Sequence, residues 1–210
     1  MSYAVKEMFL TLQGEGIHAG RRAVFVRFAG CNLWTGREAD RAGAVCQFCD
    51  TDFVGTDGAG GGKFDDAAAV AAAAAAFWGP GTALRYVVLT GGEPMLQIDA
   101  ALINALHARG FEIGVESNGT IPAVAGIDWL CISPKAGSTV VQRAGNELKL
   151  VWPQPGSDID AMLGWSFDHF LIQPMDCDDR AAARESAIAL VMEHPQWRLT
   201  LQAHKTLGLR

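Results

Sequence analysis

The chain has 210 residues, half of them hydrophobic, which is enough to form a sizeable core and is typical of one domain, residues 1–210. Its 17 basic and 23 acidic residues give a formal charge of −6, and no run of Lys and Arg could follow a phosphate backbone, so nucleic acid is not expected as a partner. The longest apolar run, residues 67–78, is too short to span a bilayer, and the N-terminus lacks the pattern of a signal peptide. We therefore expect a cytoplasmic protein without a membrane partner.

Strand-like and helix-like segments alternate along the chain, as they do in parallel α/β proteins. In chain order we predict a strand at 24–28, a helix at 65–78 after a glycine-rich loop, a strand at 86–89, a helix at 97–109, strands at 111–115, 129–132, 147–151 and 169–172, a helix at 178–193 and a strand at 199–201. Six or seven parallel strands are enough for a barrel or part of one. Because the chain is short and helices are sparse after Pro122, we expect a shortened, partial (β/α)6 barrel with mainly parallel strands.

Three of the five cysteines form the pattern Cys31-x14-Cys46-x2-Cys49. Thiolates are soft ligands that suit iron–sulfur clusters and zinc, and a Cys-x2-Cys pair lets one loop present two sulfurs to one centre. Three thiolates leave one iron of a four-iron cluster without a protein ligand, so a cofactor or substrate can bind there. A structural zinc site completed by a histidine or another cysteine is the alternative.

The segment Thr90-Gly91-Gly92-Glu93-Pro94 directly follows the predicted strand 86–89. Paired glycines allow the backbone to approach a ligand closely, and α/β folds place their sites after the carboxyl ends of parallel strands. By itself the segment is compatible with an ordinary turn. Its position after a strand and downstream of the cysteines favours a binding loop.

Together, the cysteines ending in Cys46-Gln47-Phe48-Cys49 and the later Gly91-Gly92-Glu93-Pro94 resemble the radical S-adenosylmethionine (SAM) superfamily. The resemblance implies a full or partial (β/α)6 barrel. It also implies one [4Fe-4S] cluster on Cys31, Cys46 and Cys49, with SAM bound at the open iron.

The fourteen residues between Cys31 and Cys46 depart from the three that are usual in the superfamily. This long spacing, with Gln13-Gly14-Glu15-Gly16, Cys49-Asp50-Thr51 and Gln202-Ala203-His204-Lys205, resembles the 7-carboxy-7-deazaguanine synthase family. These matches run from Leu12 to the C-terminus.

That resemblance implies conversion of 6-carboxy-5,6,7,8-tetrahydropterin to 7-carboxy-7-deazaguanine with loss of ammonia, on the route to queuosine. It implies hydrogen abstraction at C6 by a 5′-deoxyadenosyl radical, ring contraction and regeneration of SAM. It further implies Mg²⁺, a homodimer and an electron donor such as a flavodoxin or ferredoxin.

By the same resemblance, one set of residues binds the substrate. Its members are Leu12, Gln13, Gly14, Glu15, Arg27, Thr90 and His204, with the terminal carboxylate of Arg210 as a weaker candidate. Gly14 would let a flat ring approach, and Glu15 would accept hydrogen bonds from a pterin amino group. Arg27 lies in an apolar strand, where a guanidinium is costly unless it binds an anion, either the substrate carboxylate or a protein Asp or Glu. The alternatives are a glycine-rich turn at Gly14 and a structural histidine at His204.

A second set of residues is expected to bind SAM. Its members are Phe48, Cys49, Asp50, Gly92, Ser133, Pro134, Lys135, Gln173, Pro174, Met175 and Asp176, and Thr51 is the position that the resemblance implies for Mg²⁺. The segments that begin at Ser133 and Gln173 both follow predicted strands. Residues 116–119 also follow a predicted strand, but we give them less weight as ligand contacts. Exposed turns, and core packing for Phe48, are the competing interpretations.

Two other classes of function remain open at this point. Another radical SAM enzyme, such as a glycyl-radical activase, would share the cysteines and the Gly-Gly-Glu-Pro segment but act on a protein. A zinc-stabilised binding module would share only the cysteines. The chain shows no Ser-His-Asp set or P-loop that would carry hydrolysis or phosphoryl transfer.

Overall fold

The structure, a computed structural model, describes residues 2–209. Within this range one sheet contains the strands β1 Tyr3–Leu12, β2 Arg22–Phe28, β3 Gly62–Phe64, β4 Tyr86–Gly91, β5 Glu112–Ser117, β6 Trp129–Ile132, β7 Ala144–Trp152, β8 Ser166–Pro174 and β9 Arg198–Leu199. The α-helices are α1 Ala67–Trp78, α2 Ala100–His107, α3 Ile159–Leu163, α4 Arg180–Glu193 and α5 Ala203–Leu207. Short 3-10 helices span Glu38–Gly43 and Pro94–Leu96. The candidate carboxylate of Arg210 lies outside the described residues.

The strands lie in the order β3-β1-β2-β4-β5-β6-β7-β8-β9. Every neighbouring pair from β2 to β9 is parallel, whereas β1 is antiparallel to both β2 and β3. The ends of the sheet, β3 and β9, do not pair with each other. The prediction of an α/β fold with a partial, mainly parallel barrel is therefore confirmed.

The loop between β1 and β2 contacts the segment that follows β9. The amide of Gly16 donates to Thr200 Oγ1 at 2.8 Å, and the amide of Ala203 donates to the carbonyl of Gly14 at 2.8 Å. These bonds join the two sides of the sheet through loops instead of through strand pairing. The sheet therefore curves around an interior although its strands do not close.

Successive residues of a strand point to opposite faces of the sheet, and the two faces differ in polarity. On β4, Val87 and Leu89 belong to the main hydrophobic core with residues of α1 and α2. Thr90, on the same strand, instead faces the interior with Glu116 of β5 and Lys149 of β7. The helices therefore cover an apolar outer face, and the inner face presents polar groups.

Aspartate caps define where the three longer helices begin. Asp66, Asp99 and Asp179 accept hydrogen bonds from Ala69, Leu102 and Ala182 at 2.8, 2.9 and 3.0 Å, respectively. The predicted starts at 97 and 178 were thus too early. In the first case Pro94–Leu96 forms a separate 3-10 turn, and the Gln97 side chain accepts a hydrogen bond from the Ala4 amide at 2.7 Å.

The sequence patterns missed β1, β3, α3 and α5. β1 was hidden because Lys6 and Glu7 interrupt its apolar residues. Lys6 pairs with Asp52 and Asp57 at 2.8 Å each, and Glu7 pairs with Arg27 at 2.8 Å, so both charges have partners in the folded chain. Leu12 is the last residue of β1. The strand predicted at 199–201 instead spans Arg198–Leu199 and shares only Leu199 with the prediction.

Among residues 2–209, no helix combines the length and apolarity that crossing a bilayer requires.

The packing of α2 on the sheet yields a stability prediction. Leu102 is fully buried in the main core, so Leu102→Ala should lower the free energy of unfolding by about 2–5 kcal/mol in urea denaturation. Met192, on α4, is 79% exposed, and Met192→Ala should have an effect below about 0.5 kcal/mol. Equal losses in the two variants would contradict this assignment of the core.

Candidate functional site

A cavity of about 560 Å³ opens at the carboxyl ends of the parallel strands. Its volume lies in the range of small-molecule sites. The predicted site residues that line it are Leu12, Gln13, Gly14, Glu15, Arg27, Cys31, Cys46, Phe48, Cys49, Asp50, Thr51, Thr90, Gly92, Ser133, Lys135, Gln173, Pro174, Met175, Asp176 and His204. Pro134 does not line the cavity, and its carbonyl accepts a hydrogen bond from Gln154 Nε2 at 3.3 Å. The fold thus gathers both predicted sets around one space.

Several strands run further toward the cavity than predicted. Glu116 lies within β5, and Gln173 and Pro174 lie within β8, whereas the sequence patterns placed them in loops after the strands. Gln173 is buried, and its Oε1 has no hydrogen-bond partner among the described residues. Strand geometry therefore orients these side chains more rigidly than a loop would.

The long spacing between Cys31 and Cys46 forms an excursion that returns to its start. The intervening chain contains the 3-10 helix Glu38–Gly43, after which the amides of Val45 and Cys46 donate to the carbonyl of Leu33 at 3.2 and 3.4 Å. The Leu33 amide donates to Cys31 Sγ at 3.4 Å. The fourteen-residue segment therefore brings Cys46 back beside the segment that carries Cys31.

The fit of an iron–sulfur cluster depends on the three thiols that line this wall. All five cysteines are free, and no group of three or more His, Cys, Asp or Glu side chains within residues 2–209 is arranged to hold a single metal ion. A four-iron cluster binds each thiolate through a different iron, so its ligands need not converge on one point. Soft thiolates on one cavity wall suit such a group.

The thiols of Cys46 and Cys49 interact with each other. A hydrogen bond from Cys46 lowers the pKa of Cys49 to about 6, against the opposing effect of burial. The same bond, together with burial, raises the pKa of Cys46. Cys49 is thus the thiol of this pair that ionises first, and a thiolate is the form that binds metal.

The Gly-Gly-Glu-Pro segment is tied to the cysteine wall by close backbone packing. A Cβ on Gly92 would lie 2.1 Å from the carbonyl oxygen of Gly30 and 2.7 Å from Cys31 Cβ, so a larger residue does not fit. The fully buried Glu93 accepts hydrogen bonds from the Asn118 amide, Ser117 Oγ and the Met95 amide at 2.7, 2.8 and 2.9 Å. Its role in this structure is to hold the loops after β4 and β5 together.

The cavity floor is a network of charged and amide side chains. Glu15 forms an ion pair with Lys149 and accepts a hydrogen bond from Gln202 Nε2 at 2.9 Å. Burial opposes ionisation of Glu15, but Lys149 and Gln202 outweigh it and lower the pKa to about 2. Glu116 accepts a hydrogen bond from Gln13 Nε2 at 3.0 Å, with Thr90 Oγ1 at 3.5 Å. The floor therefore presents two carboxylates that already have partners.

His204 contacts this floor from the C-terminal helix α5. A Cβ on Gly14 would lie 2.1 Å from His204 Nδ1, so the glycine is required for this close approach. The contact adds to the hydrogen bond between the Ala203 amide and the Gly14 carbonyl. α5 therefore forms part of the cavity wall.

Arg27 projects from β2 into the cavity. Its Nε donates to Glu7 Oε1 at 2.8 Å, and Glu7 is its one hydrogen-bond partner in the described part of the chain. The predicted protein carboxylate therefore exists. A guanidinium has five donors, so the Glu7 pair does not exhaust its capacity to bind a further anion.

Lys205 joins two walls of the cavity. Its Nζ donates to Asp50 Oδ2 at 2.6 Å and to Asp176, which also pairs with Arg180. These carboxylates follow the cysteine loop and β8, respectively. On another wall, Lys135 Nζ donates to the carbonyl of Ser133 at 2.6 Å and to its Oγ at 2.7 Å.

Curated proteins that match the chain carry one name. Proteins called 7-carboxy-7-deazaguanine synthase from Bradyrhizobium diazoefficiens and Bordetella pertussis are each 61% identical to it, over the full length of both chains. The chain belongs to the 7-carboxy-7-deazaguanine synthase family. It is therefore an enzyme. No family model matches it.

A solved structure supports the same fold for this synthase family member. A crystal structure described as QueE from Escherichia coli is similar to it with a TM-score of 0.73 and 26% identity, covering 97% of this chain and 95% of the other. The sequence resemblance to the family is thus confirmed by both comparisons.

Lys149, Gln202 and Lys205 are among the cavity residues that the sequence did not assign to the site. Glu93, quoted only within the Gly-Gly-Glu-Pro segment, supports the cavity without lining it. Lys149 carried a detectable signal, because it is a charged residue between Leu148 and Leu150 in an apolar strand, as Arg27 is in β2. Gln202 and Lys205 were quoted only as part of a motif. Their roles depend on contacts with Glu15 and Asp50, more than 150 residues away in the chain.

The Glu15 ion pair leads to a pH prediction for this synthase. The pKa of Glu15 is lowered from 4.5 to about 2, so its contribution to stability is complete above pH 4.5 and is lost as the pH falls toward 2. Glu15→Gln should therefore flatten the acid dependence of the free energy of unfolding, measured by urea denaturation between these values. The control Glu38→Gln changes an exposed carboxylate and should follow the wild type. Parallel curves for wild type and Glu15→Gln would count against the ion pair.

Proposed function

We propose that the chain converts 6-carboxy-5,6,7,8-tetrahydropterin to 7-carboxy-7-deazaguanine and ammonia. The names of its relatives indicate the 7-carboxy-7-deazaguanine product for those proteins. The observation that carries the proposal is the union of three thiols and a polar floor in one cavity. The cavity volume is sufficient for a pterin beside part of a nucleoside cofactor. In this proposal the product enters the route to queuosine and other deazapurines.

A [4Fe-4S] cluster, SAM and Mg²⁺ are proposed as cofactors. Cys31, Cys46 and Cys49 would hold the cluster, and Thr51 would contribute a hydroxyl to Mg²⁺, which prefers oxygen ligands. When bound, the cluster and SAM would supply the 5′-deoxyadenosyl radical that takes hydrogen from substrate C6, with SAM regenerated after ring contraction. The protein's contribution is then to orient the reacting groups and exclude water.

Backbone and side-chain groups on one side of the cavity suit the SAM site. The Gly92 backbone lies against Cys31, where an amino-acid end bound to the cluster could reach it. Phe48 offers an aromatic surface, and Lys135 Nζ lies 6.0 Å from its ring centroid. Gln173 lines the cavity, and its buried Oε1 has no hydrogen-bond partner among residues 2–209. Pro134 would contribute by shaping the segment between Ser133 and Lys135.

The opposite side of the cavity suits the pterin. Gly14 lines the cavity beside His204, and Glu15 and Glu116 provide acceptors for the N–H groups of the ring. Arg27 would bind the substrate carboxylate through guanidinium donors not used by Glu7. Thr90 and His204 would complete the contacts.

A glycyl-radical activase, the other radical SAM candidate, acts on a protein chain. The full-length relatives carry the deazaguanine synthase name, which favours the small-molecule substrate. The single-domain organisation, the homodimer and the flavodoxin or ferredoxin donor stay predictions.

The proposed reaction is tested by anaerobic reconstitution with iron and sulfide, followed by incubation with SAM, a reductant and the tetrahydropterin. Mass spectrometry should detect 7-carboxy-7-deazaguanine from wild type and not from Cys31→Ala, Cys46→Ala or Cys49→Ala. The matched control Cys177→Ala alters a free cysteine outside the cavity and should retain product formation. SAM cleavage without product would overturn the substrate assignment, and full activity in any of the three variants would overturn the cluster ligands.

The role proposed for Arg27 is tested by substrate binding without SAM. Arg27→Ala should raise the dissociation constant of the tetrahydropterin roughly ten- to hundredfold, because a charge-assisted hydrogen bond contributes about 1.5–3 kcal/mol. Equilibrium dialysis under anaerobic conditions measures this constant. Arg22→Ala is the control, since Arg22 lies on the same strand and its guanidinium donates to the Trp78 carbonyl outside the cavity. An unchanged constant in Arg27→Ala would refute the carboxylate contact.

A further inference from the structure

Lys149 is a buried cation in the middle of β7. Its neighbours Leu148 and Leu150 are fully buried in the main core, so the alternation of the strand turns Lys149 toward the interior. Its side chain is only 5% exposed. An ammonium group in such a place is costly unless anions compensate for its lost hydration.

Two carboxylates from distant parts of the chain meet Lys149. Glu15, in the loop after β1, forms a hydrogen-bonded ion pair with its Nζ, and Glu116 Oε1 of β5 lies 3.6 Å from the same atom. The cation therefore lies between two acids that line the cavity. The other titratable or charged groups that face this cluster are Cys131 of β6, Glu147 of β7, Lys135 after β6 and His204 of α5.

Each of the two carboxylates also accepts a hydrogen bond from a glutamine side chain. Gln202 Nε2 donates to Glu15 Oε1 at 2.9 Å, and Gln13 Nε2 donates to Glu116 Oε1 at 3.0 Å. Glu147, the third carboxylate near this cluster, is engaged elsewhere, because its Oε2 accepts a hydrogen bond from the Ile17 amide at 2.9 Å. Lys149 therefore compensates for Glu15 and Glu116.

Burial by itself would favour the protonated form of Glu15. The ion pair and its hydrogen bonds reverse this tendency and keep the pKa of Glu15 low, while the surrounding carboxylates raise the pKa of Lys149 against the effect of its burial. A protonated carboxyl would present an O–H donor in place of an acceptor lone pair. Removal of the lysine charge should thus change which hydrogen bonds the floor can make.

We propose that Lys149 is a positioning residue that keeps Glu15 ionised and holds Glu15 and Glu116 directed at the N–H donors of a flat heterocyclic ligand. The inference rests on the proposed function, since the amino-pyrimidinone ring of a pterin carries such donors. Lys149 acts through the two carboxylates. The pair would distinguish ring edges that donate hydrogen bonds from edges that only accept them.

The variant Lys149→Met removes the charge at similar length. Without the lysine charge, the pKa of Glu15 should rise. At pH values below this new pKa, the KM for 6-carboxy-5,6,7,8-tetrahydropterin should increase roughly tenfold for each unit by which the pH falls, and it should decrease again as the pH increases. The wild-type KM should show no such dependence between pH ~6 and ~9, because Glu15 is already ionised there. The effect should appear in KM and not in kcat at saturating substrate. Steady-state assays of product formation by the reconstituted enzyme measure both constants.

Three further variants make the test specific. Lys149→Arg keeps the charge and should restore a KM that is independent of pH. Glu15→Gln/Lys149→Met removes the titrating acid and should have a raised KM without pH dependence. Lys63→Met changes an exposed lysine of β3 outside the cavity and should behave as wild type. A wild-type pH profile and KM in Lys149→Met would overturn the proposal.

A second measurement requires neither substrate nor the Lys149→Met variant. Infrared spectra of wild type labelled with ¹³C-glutamate should show no protonated carboxyl from Glu15 at pH ~5, with Glu15→Gln identifying its band. A protonated Glu15 at that pH would overturn the role of Lys149 even if Lys149→Met does not fold. Wild type that leaves the pterin unconverted would instead refute the proposed function, and the infrared result would still decide the ionisation of Glu15.

Discussion

The contact between the two sides of the open sheet is the constraint on which the rest of the site depends. In the loop after β1, Gly16 and Gly14 form hydrogen bonds with Thr200 and Ala203, respectively, which follow β9. Strand pairing does not close the sheet, so these bonds and the His204 contact keep its inner face wrapped around the cavity. The loop that approaches the proposed substrate is therefore also a structural joint. Changes there would affect the shape of the cavity as well as its chemistry.

The cysteine wall is held by a different set of interactions. Close packing of Gly92 against Gly30 and Cys31 leaves no space for a side chain, and buried Glu93 ties this region to the loop after β5. Asn118 extends the connection through a 3.0 Å hydrogen bond to Asn32, next to Cys31. The wall is thus supported on both sides by strand ends, although the chain between Cys31 and Cys46 is long and largely irregular.

Charge balance links the floor to the mouth of the cavity. Lys149 compensates for the half-buried acids Glu15 and Glu116 on the floor, and Lys205 compensates for Asp50 and Asp176 on the walls. The floor lysine is almost fully enclosed, whereas the side chain of Lys205 is 38% exposed. Water screens the outer group more strongly, so the inner group has the larger electrostatic effect. A buried network of this kind favours one arrangement of acceptors toward a ligand.

Local patterns in the sequence were sufficient for the parallel strands, the existence of α1, α2 and α4 and the three cysteines with their paired glycines. These features depend on residues close together in the chain, through side-chain alternation, capping aspartates and ligand spacing. Tertiary structure decided that Lys6 and Glu7 belong to a strand, because their compensating charges lie at Asp52, Asp57 and Arg27. It also brought Lys149 to Glu15 and Lys205 to Asp50, pairs separated by 134 and 155 residues. A buried charge is recognisable in a sequence, but its partner is selected by the curvature of the sheet and the contact between its two sides.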